Sequence, residues 1–451
     1  MTGTFQPQVP LAAGTRALVL GLGRTGLSAA RYLDRKGLAV RVADTRADPP
    51  GGDALRADVP AAELRTGAFN PSLLDGVAQV VISPGLSLQE AVVHEALARG
   101  LPVVGDIELF AREARAPIAA ITGTNGKSTV TTLVAELANA GGRRAAAGGN
   151  LGEPALDLLE RSTPDLYVLE LSSFQLETTH SLRTVTSTVL NVTPDHMDRY
   201  ESLEAYGAAK ARIFDRCGVA VINADDPAVR DMPRPGQSVM SFSLEAHDAD
   251  YTLERSPAPM IVRRGEPLLP LAAMRLQGLH NAANAMAALA MAEALELPLA
   301  PALDALCAFA GLPHRSQWVA DVHGVRYVND SKGTNVGATL AAVRGLAGPL
   351  VVIAGGDGKN QDFSELRDAF RGKVRHVVLI GRDAPALAAT LADVCATERA
   401  SDMPSAVRAA HAVAQPGDTV LLSPACASLD MFRDYRHRGD EFTATVRSLA
   451  A

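Results

Sequence analysis

Short apolar runs recur along the chain, each ending at a glycine, an acid or an amide, with alanine-rich stretches of helical spacing between them. Runs of this length bounded by turn residues predict buried strands, and their alternation with helical stretches predicts parallel sheets covered by helices. In residues 1–105 the strands fall at 16–20, at 38–43 ending on Asp44, and at 77–82 running into Ser83-Pro84-Gly85. In residues 106–311 they fall at 118–121, at 166–169 before Glu170, at 188–190 before Asn191, and at 219–222 before Asn223-Ala-Asp225-Asp226. A packed helix over 281–295 closes that unit, and residues 233–270, rich in proline and mixed charge, read as an irregular or β-rich excursion from it. Residues 312–451 start the pattern again, with strands at 325–328, 350–354, 377–380 and 419–422. The expectation is an α/β protein of three domains, Rossmann-like at 1–105, a central α/β unit at 106–311 and a second Rossmann-like unit at 312–451.

A chain of 451 residues agrees with that count, since one core rarely serves more than about 250 residues. Hydrophobic content of 47% and charged content of 21% describe a chain that folds throughout. The net charge of −7 argues against nucleic acid as a partner, because phosphate backbones need broad basic surfaces. Cys217, Cys307, Cys395 and Cys426 stand far apart with no Cys-x-x-Cys pair, which indicates neither a zinc site nor a disulfide framework and fits a reducing compartment. No basic segment precedes an apolar run in Met-Thr-Gly-Thr-Phe-Gln-Pro at the start, and no long uncharged apolar stretch occurs. A cytoplasmic enzyme without membrane insertion is expected, as a monomer.

The chemistry gathers at strand ends, where open α/β sheets bind ligands. The strand at 118–121 stops at Gly123-Thr124-Asn125-Gly126-Lys127-Ser128-Thr129 and resumes as a helix. Glycines there let N–H groups turn toward an anion, the helix start favours negative charge, Lys127 adds a cation, and Ser128 or Thr129 offers a hydroxyl to Mg²⁺. The spacing is a shortened variant of the common nucleotide loop, with Ile121 where its first glycine would stand. Gly21-x-Gly23-x-x-Gly26 with Asp44 downstream suggests a dinucleotide or merely a tight turn. Two nucleotide-type sites fit one protein that binds ATP and a nucleotide-linked substrate. Glu170 ends a buried strand and reads as a Mg²⁺ ligand or half of a buried ion pair. His196 stands in a loop beside the strand-end cluster, Lys210 in a helical stretch reads by default as surface charge, and Arg315, Lys332 and Lys359 lie in loops. A nicotinamide oxidoreductase and a nucleotide-dependent switch are the competing classes.

With these residues in view, the chain resembles the Mur ligases of peptidoglycan synthesis, most nearly the D-glutamate-adding member. The carriers are the loop at 123–129, Leu169-Glu-Leu-Ser-Ser-Phe-Gln-Leu-Glu177, Asn191-Val-Thr-Pro-Asp-His-Met-Asp-Arg199, His280-Asn-Ala-Ala-Asn284, Asn329-Asp-Ser-Lys332 and Leu422-Ser-Pro-Ala-Cys-Ala-Ser-Leu-Asp430. The resemblance implies an ATP-dependent amide ligase joining D-glutamate to UDP-N-acetylmuramoyl-L-alanine through an acyl phosphate, in cell-wall precursor synthesis. It implies that Lys127 and its loop hold the ATP phosphates, that Asn281 and Asn284 face the adenine, and that Arg315, Asp330 and Lys332 reach ATP from the third domain. Ser128 or Thr129 with Glu170 would hold a first Mg²⁺ and His196 a second, with Lys210 carboxylated by CO₂ to a carbamate that helps hold it. His196 is a candidate general base only when it holds no metal. Leu22, Arg24, Thr25, Asp44, Thr45, Arg46, Ser83, Gly85 and Asn150 would take the UDP-sugar, and Thr334, Lys359, Ser428, Leu429 and Tyr435 the D-glutamate. Four residues depart from the family pattern: Ser316, Gln317, Gly333 and Tyr435. Closure of the third domain about a hinge near Gly311-Leu-Pro313 is expected.

Overall fold

The computed structural model describes residues 11–150, 152–246, 248–276, 278–346 and 348–449, so the leading heptapeptide lies outside the described residues. Three sheets form in succession. The first comprises β1 (Arg16–Leu20), β2 (Ala39–Asp44), β3 (Glu63–Thr66), β4 (Val77–Ile82) and β5 (Val103–Val104), all parallel, in the order β3-β2-β1-β4-β5. The order reverses between β1 and β4, which opens a crevice at their carboxyl ends beside Gly21 and Ser83.

The central sheet has nine strands: β6 (Ile118–Thr122), β7 (Ala145–Gly149), β8 (Leu166–Glu170), β9 (Thr184–Val189), β10 (Cys217–Asn223), β11 (Ser238–Ser243), β12 (Tyr251–Glu254), β13 (Met260–Arg263) and β14 (Glu266–Pro270). They run β14-β13-β12-β11-β10-β9-β6-β8-β7, all in one direction except β13, which pairs antiparallel with both β12 and β14. The excursion at 233–270 is therefore an extension of this sheet. β9 begins earlier than its apolar residues indicate, because Thr186, Ser187 and Thr188 are wholly buried and Thr186 spends its hydroxyl on the Val219 carbonyl. Helices Lys127–Ala140 and Leu279–Ala294 cover one face, with Leu133, Leu137, Ala285, Met286 and Leu289 in one apolar cluster.

The third sheet comprises β15 (Gln317–Val322), β16 (Val325–Asn329), β17 (Leu350–Gly355), β18 (Val374–Ile380), β19 (Ala396–Arg399) and β20 (Thr419–Leu422), ordered β15-β16-β20-β17-β18-β19, with β15 alone antiparallel. Its carboxyl ends face those of the central sheet. Arg315 reaches Ser128, and Lys359 stands 3.8 Å from Asp195, so the two units meet in a closed arrangement. The connecting turn carries three left-handed residues, Gly311 (φ 88°), His314 (φ 62°) and Ser316 (φ 46°).

Candidate active site

The loop at 123–129 is built by two constraints on glycine. Gly126 (φ 85°) starts helix Lys127–Ala140 from the left-handed region, and a Cβ there would lie 2.5 Å from Asn284 Oδ1. Among the described residues no side chain caps this helix, which leaves its N-terminal end open to an anion. The loop is braced from behind, where Thr124 N and Asn125 N donate to Asn191 O and Oδ1 at 2.9 and 2.8 Å. Lys127 Nζ donates to Gly123 O and Thr124 O at 2.9 and 2.8 Å.

Lys210 donates to the same Gly123 carbonyl at 2.9 Å and lies 4.2 Å over the Tyr206 ring. It is 1% exposed, which overturns the default reading of a surface charge. Helix Leu203–Ala211 turns this face inward, with Tyr206, Gly207 and Lys210 buried together. Burial and then the Lys127 charge push the Lys210 pKa well below the ordinary lysine value, which favours the neutral amine.

Glu170 is buried at the end of β8 as expected. One carboxylate oxygen accepts from Asn150 Nδ2 at 2.7 Å, and Oε2 is buried with no hydrogen-bond partner among the described residues. A buried carboxylate oxygen without a donor is costly unless a cation meets it. Ser128 lines the same cavity of about 390 Å³, and its Oγ accepts from Arg315 Nη2 at 2.5 Å. Thr129 lines a different cavity, so Ser128 is the loop hydroxyl on the Glu170 side. Among the described residues no group of three His, Cys, Asp or Glu could hold a metal by itself. The donors present fit Mg²⁺, which takes few protein ligands and completes its shell with phosphate oxygens and water.

His196 also lines this cavity, from a left-handed turn (φ 58°). Its backbone N–H donates to Asp195 Oδ1 at 3.0 Å, and its ring meets Phe174 edge-on at 5.0 Å. Burial lowers its pKa, with Lys359 and Lys127 assisting against Asp195, so the ring keeps a free lone pair near neutrality. Lys332, Thr334 and Lys359 enter the cavity from the third sheet.

A neighbouring cavity of about 280 Å³ is lined by Asn281, Asn284, Thr129, Arg315, Asp330 and Lys332. Asp330 accepts from Ser316 N and Ser423 Oγ at 3.0 and 2.9 Å, and burial raises its pKa to about 6. A Cβ at position 333 would lie 2.7 Å from Asp330 Oδ2, which accounts for glycine there, and Gln317 Oε1 braces the turn by accepting from His314 N at 3.0 Å.

The third cavity, about 310 Å³, lies in the crevice of the first sheet and is lined by Arg24, Thr25, Asp44, Thr45, Arg46, Ser83 and Gly85. Leu22 is fully buried outside that lining, and its N–H donates to Asp44 Oδ2 at 2.7 Å. Arg46 takes both Asp44 oxygens at 2.8 and 2.7 Å, and that pairing holds the carboxyl near pKa 2. The carboxylate is thus already engaged and is poorly placed to take a dinucleotide ribose. Asn150 belongs with Glu170 in the central cavity rather than here.

Ser428, Leu429 and Tyr435 are not among the residues lining the central cavity. Ser428 is buried with its carbonyl accepting from Phe432 N at 2.8 Å, Leu429 is 73% exposed, and Tyr435 carries its ring 4.4 Å from Lys332 Nζ. Arg199 has a role that sequence reasoning did not single out. It donates to Gly85 O and Leu86 O at 3.3 and 3.0 Å and packs on the Phe174 ring at 4.4 Å, joining the loop of the first sheet's crevice to the His196 neighbourhood. Only the folded arrangement brings these segments together.

Comparison with known proteins places this geometry. Residues 15–105 match the model of the Mur ligase MurD-like N-terminal domain, 121–292 the Mur ligase middle domain, and 314–426 the Mur ligase glutamate ligase domain. The chain is 52% identical to a UDP-N-acetylmuramoylalanine--D-glutamate ligase of Nitrosococcus oceani, covering 98% of this chain and 99% of that one. It is 52% identical to the protein of the same name from Methylococcus capsulatus, covering 97% and 95%. The solved structure of a UDP-N-acetylmuramate-alanine ligase from Thermotoga maritima shares the fold, with a TM-score of 0.61 at 18% identity over 96% of this chain and 99% of that one. Three family models in chain order and full-length relatives at half identity make the chain a member of the Mur ligase family.

Proposed function

We propose that this chain joins D-glutamate to UDP-N-acetylmuramoyl-L-alanine at the expense of ATP, a step of peptidoglycan precursor synthesis. The observation that carries the reading is the convergence of Lys127, Glu170, Arg315 and Lys332 on one cavity, between a nucleotide-sized cavity and the crevice of the first sheet. The names of the half-identical relatives supply the substrates. A nicotinamide oxidoreductase would leave the uncapped helix and Lys127 without employment.

A free carboxylate has no leaving group, and ATP supplies one. The L-alanyl carboxylate attacks the γ-phosphate, ADP departs, and an acyl phosphate forms. Lys127, Arg315 and Lys332 neutralise charge on the phosphoryl oxygens, and the first-turn N–H groups of helix Lys127–Ala140 cradle the phosphates. Mg²⁺ on Glu170 and Ser128 would supply Lewis-acid polarisation of the phosphates. The D-glutamate amine, held by Thr334 and Lys359, then attacks the acyl carbon, phosphate leaves, and the amide forms with loss of a proton. His196 and a carbamate on Lys210 would hold a second Mg²⁺. The carbamate requires a neutral amine, R-NH₂ + CO₂ giving R-NH-COO⁻ and H⁺, and the buried setting of Lys210 supports that. Asn281 and Asn284 face the adenine, and Arg24, Thr25, Thr45, Arg46, Ser83 and Gly85 take the UDP portion.

Phosphate release tests the reading. It should require ATP, the UDP-sugar peptide and D-glutamate together and fail with L-glutamate; release with ATP alone would make the protein a nucleotide switch instead.

Lys332 gives this assay a pH signature. Burial, with Arg315 and Lys127 nearby, lowers its pKa to about 8. The ammonium is present below that value and lost above it, so kcat/KM for ATP should fall as pH rises through about 8. Lys332→Arg keeps the charge and should flatten that fall; an unchanged profile in the arginine variant would assign the titration elsewhere.

A further inference from the structure

Asn335 lies at the seam between the third unit and both catalytic loops of the central one, and it is 3% exposed. Its Oδ1 accepts from Ala338 N at 2.8 Å and so caps helix Val336–Gly345. Its Nδ2 donates to Asp195 Oδ2 at 3.1 Å. The same amide pairs with that of Asn125, Nδ2 to Oδ1 at 3.4 Å in one direction and 3.3 Å in the other. Asn125 belongs to the phosphate loop, and the other oxygen of Asp195 holds the backbone N–H of His196. The contact is close enough that a Cβ on Gly337 would lie 2.9 Å from Thr193 Oγ1. The next backbone N–H, of Val336, donates to Gln361 Oε1 at 3.1 Å in the loop that carries Lys359.

A helix cap needs only an oxygen, and serine or aspartate supplies one as well as asparagine does. The cap therefore leaves unexplained why an amide stands here with its two donors aimed across the seam at a carboxylate and at the phosphate loop. We propose that Asn335 is a positioning residue that latches the third domain closed, setting the phosphate loop and the His196 loop in register with Thr334 and Lys359. Its bonds across the seam exist only when the two units are together. Losing a hydrogen bond to a charged group shifts a closed-to-open balance by about ten- to a hundred-fold.

The inference rests on the ligase reading, and two substitutions in the full chain test it. Asn335→Ser and Asn335→Asp both keep a capping oxygen. The serine hydroxyl is too short to cross the seam, and the aspartate sets a second carboxylate against Asp195. With the latch, kcat/KM for D-glutamate falls about ten- to a hundred-fold, further for aspartate than for serine, while affinity for the UDP-sugar peptide and the melting temperature stay at wild-type values. Small-angle scattering with ADP and Mg²⁺ then gives both variants a larger radius than wild type under the same conditions. If Asn335 is only a cap, both variants match wild type in kinetics and in radius, and that result overturns the latch. Scattering needs no turnover, so a wild-type protein that made no product would sink the ligase reading while the radii still judged the latch.

Discussion

Lys127→Ala should lower kcat by about 10²–10³-fold, the usual effect of removing one preorganised group that meets charge in the transition state, or about 3–4 kcal/mol. The geometry argues for an effect on the chemical step more than on folding. The ammonium bonds two carbonyls of its own loop, Gly123 O and Thr124 O, so its position is set before any phosphate arrives. Both carbonyls belong to a loop that Asn191 independently braces, and the alanine variant should therefore melt close to wild type. Lys127→Arg should not restore the rate, because a planar guanidinium cannot occupy the site of a compact ammonium between those carbonyls. Steady-state phosphate release with all three substrates, alongside thermal melting, is the measurement. An alanine variant within a few-fold of wild-type kcat would remove the phosphate loop from the mechanism.

The elements that sequence alone makes legible are those whose residues agree at every level. The strand at 118–121, its glycines and the helix after it carry their own instructions, and they fold as β6, a left-handed turn and an uncapped helix start. Glu170 is legible as a strand-end acid, and its unpartnered oxygen adds what burial alone cannot tell. The short edge strands β3, β5, β7 and β19 carry little apolar pattern, as in Ala-Ala-Ala-Gly-Gly at 145–149, and take their conformation from their neighbours. β9 hides behind hydroxyl residues, of which Thr184, Thr186 and Ser187 find hydrogen-bond partners inside the sheet. Lys210 is the instructive case: lysine in a helical stretch reads as solvated, and only tertiary packing buries it beneath the phosphate loop. Arg199 and Asn335 are legible only after folding, since each acts across a seam between units far apart in the chain.

Lys210→Ala should lower activity about as far as Lys127→Ala, and the manner of its rescue discriminates between two roles for the side chain. If Lys210 acts as a carbamate, the alanine variant lacks a carboxylate at the cavity wall, and formate, acetate or propionate added to the assay should return part of the rate. If it acts as an amine, methylamine should rescue and carboxylates should not. The first is the role the proposed function gives it. A permanent ammonium here would share the Gly123 carbonyl with Lys127, two cations on one acceptor in a buried setting, which is costly at low dielectric. A carbamate reverses that charge, placing an anion beside Lys127 and offering oxygens toward the cavity that His196 lines. Lys210→Met fills nearly the same volume and separates lost packing from lost chemistry. It should melt near wild type and stay inactive with either additive, because the thioether occupies the space a rescuing anion needs. Unaided activity in the alanine variant equal to wild type would exclude any catalytic part for this lysine, and rescue by methylamine alone would exclude the carbamate.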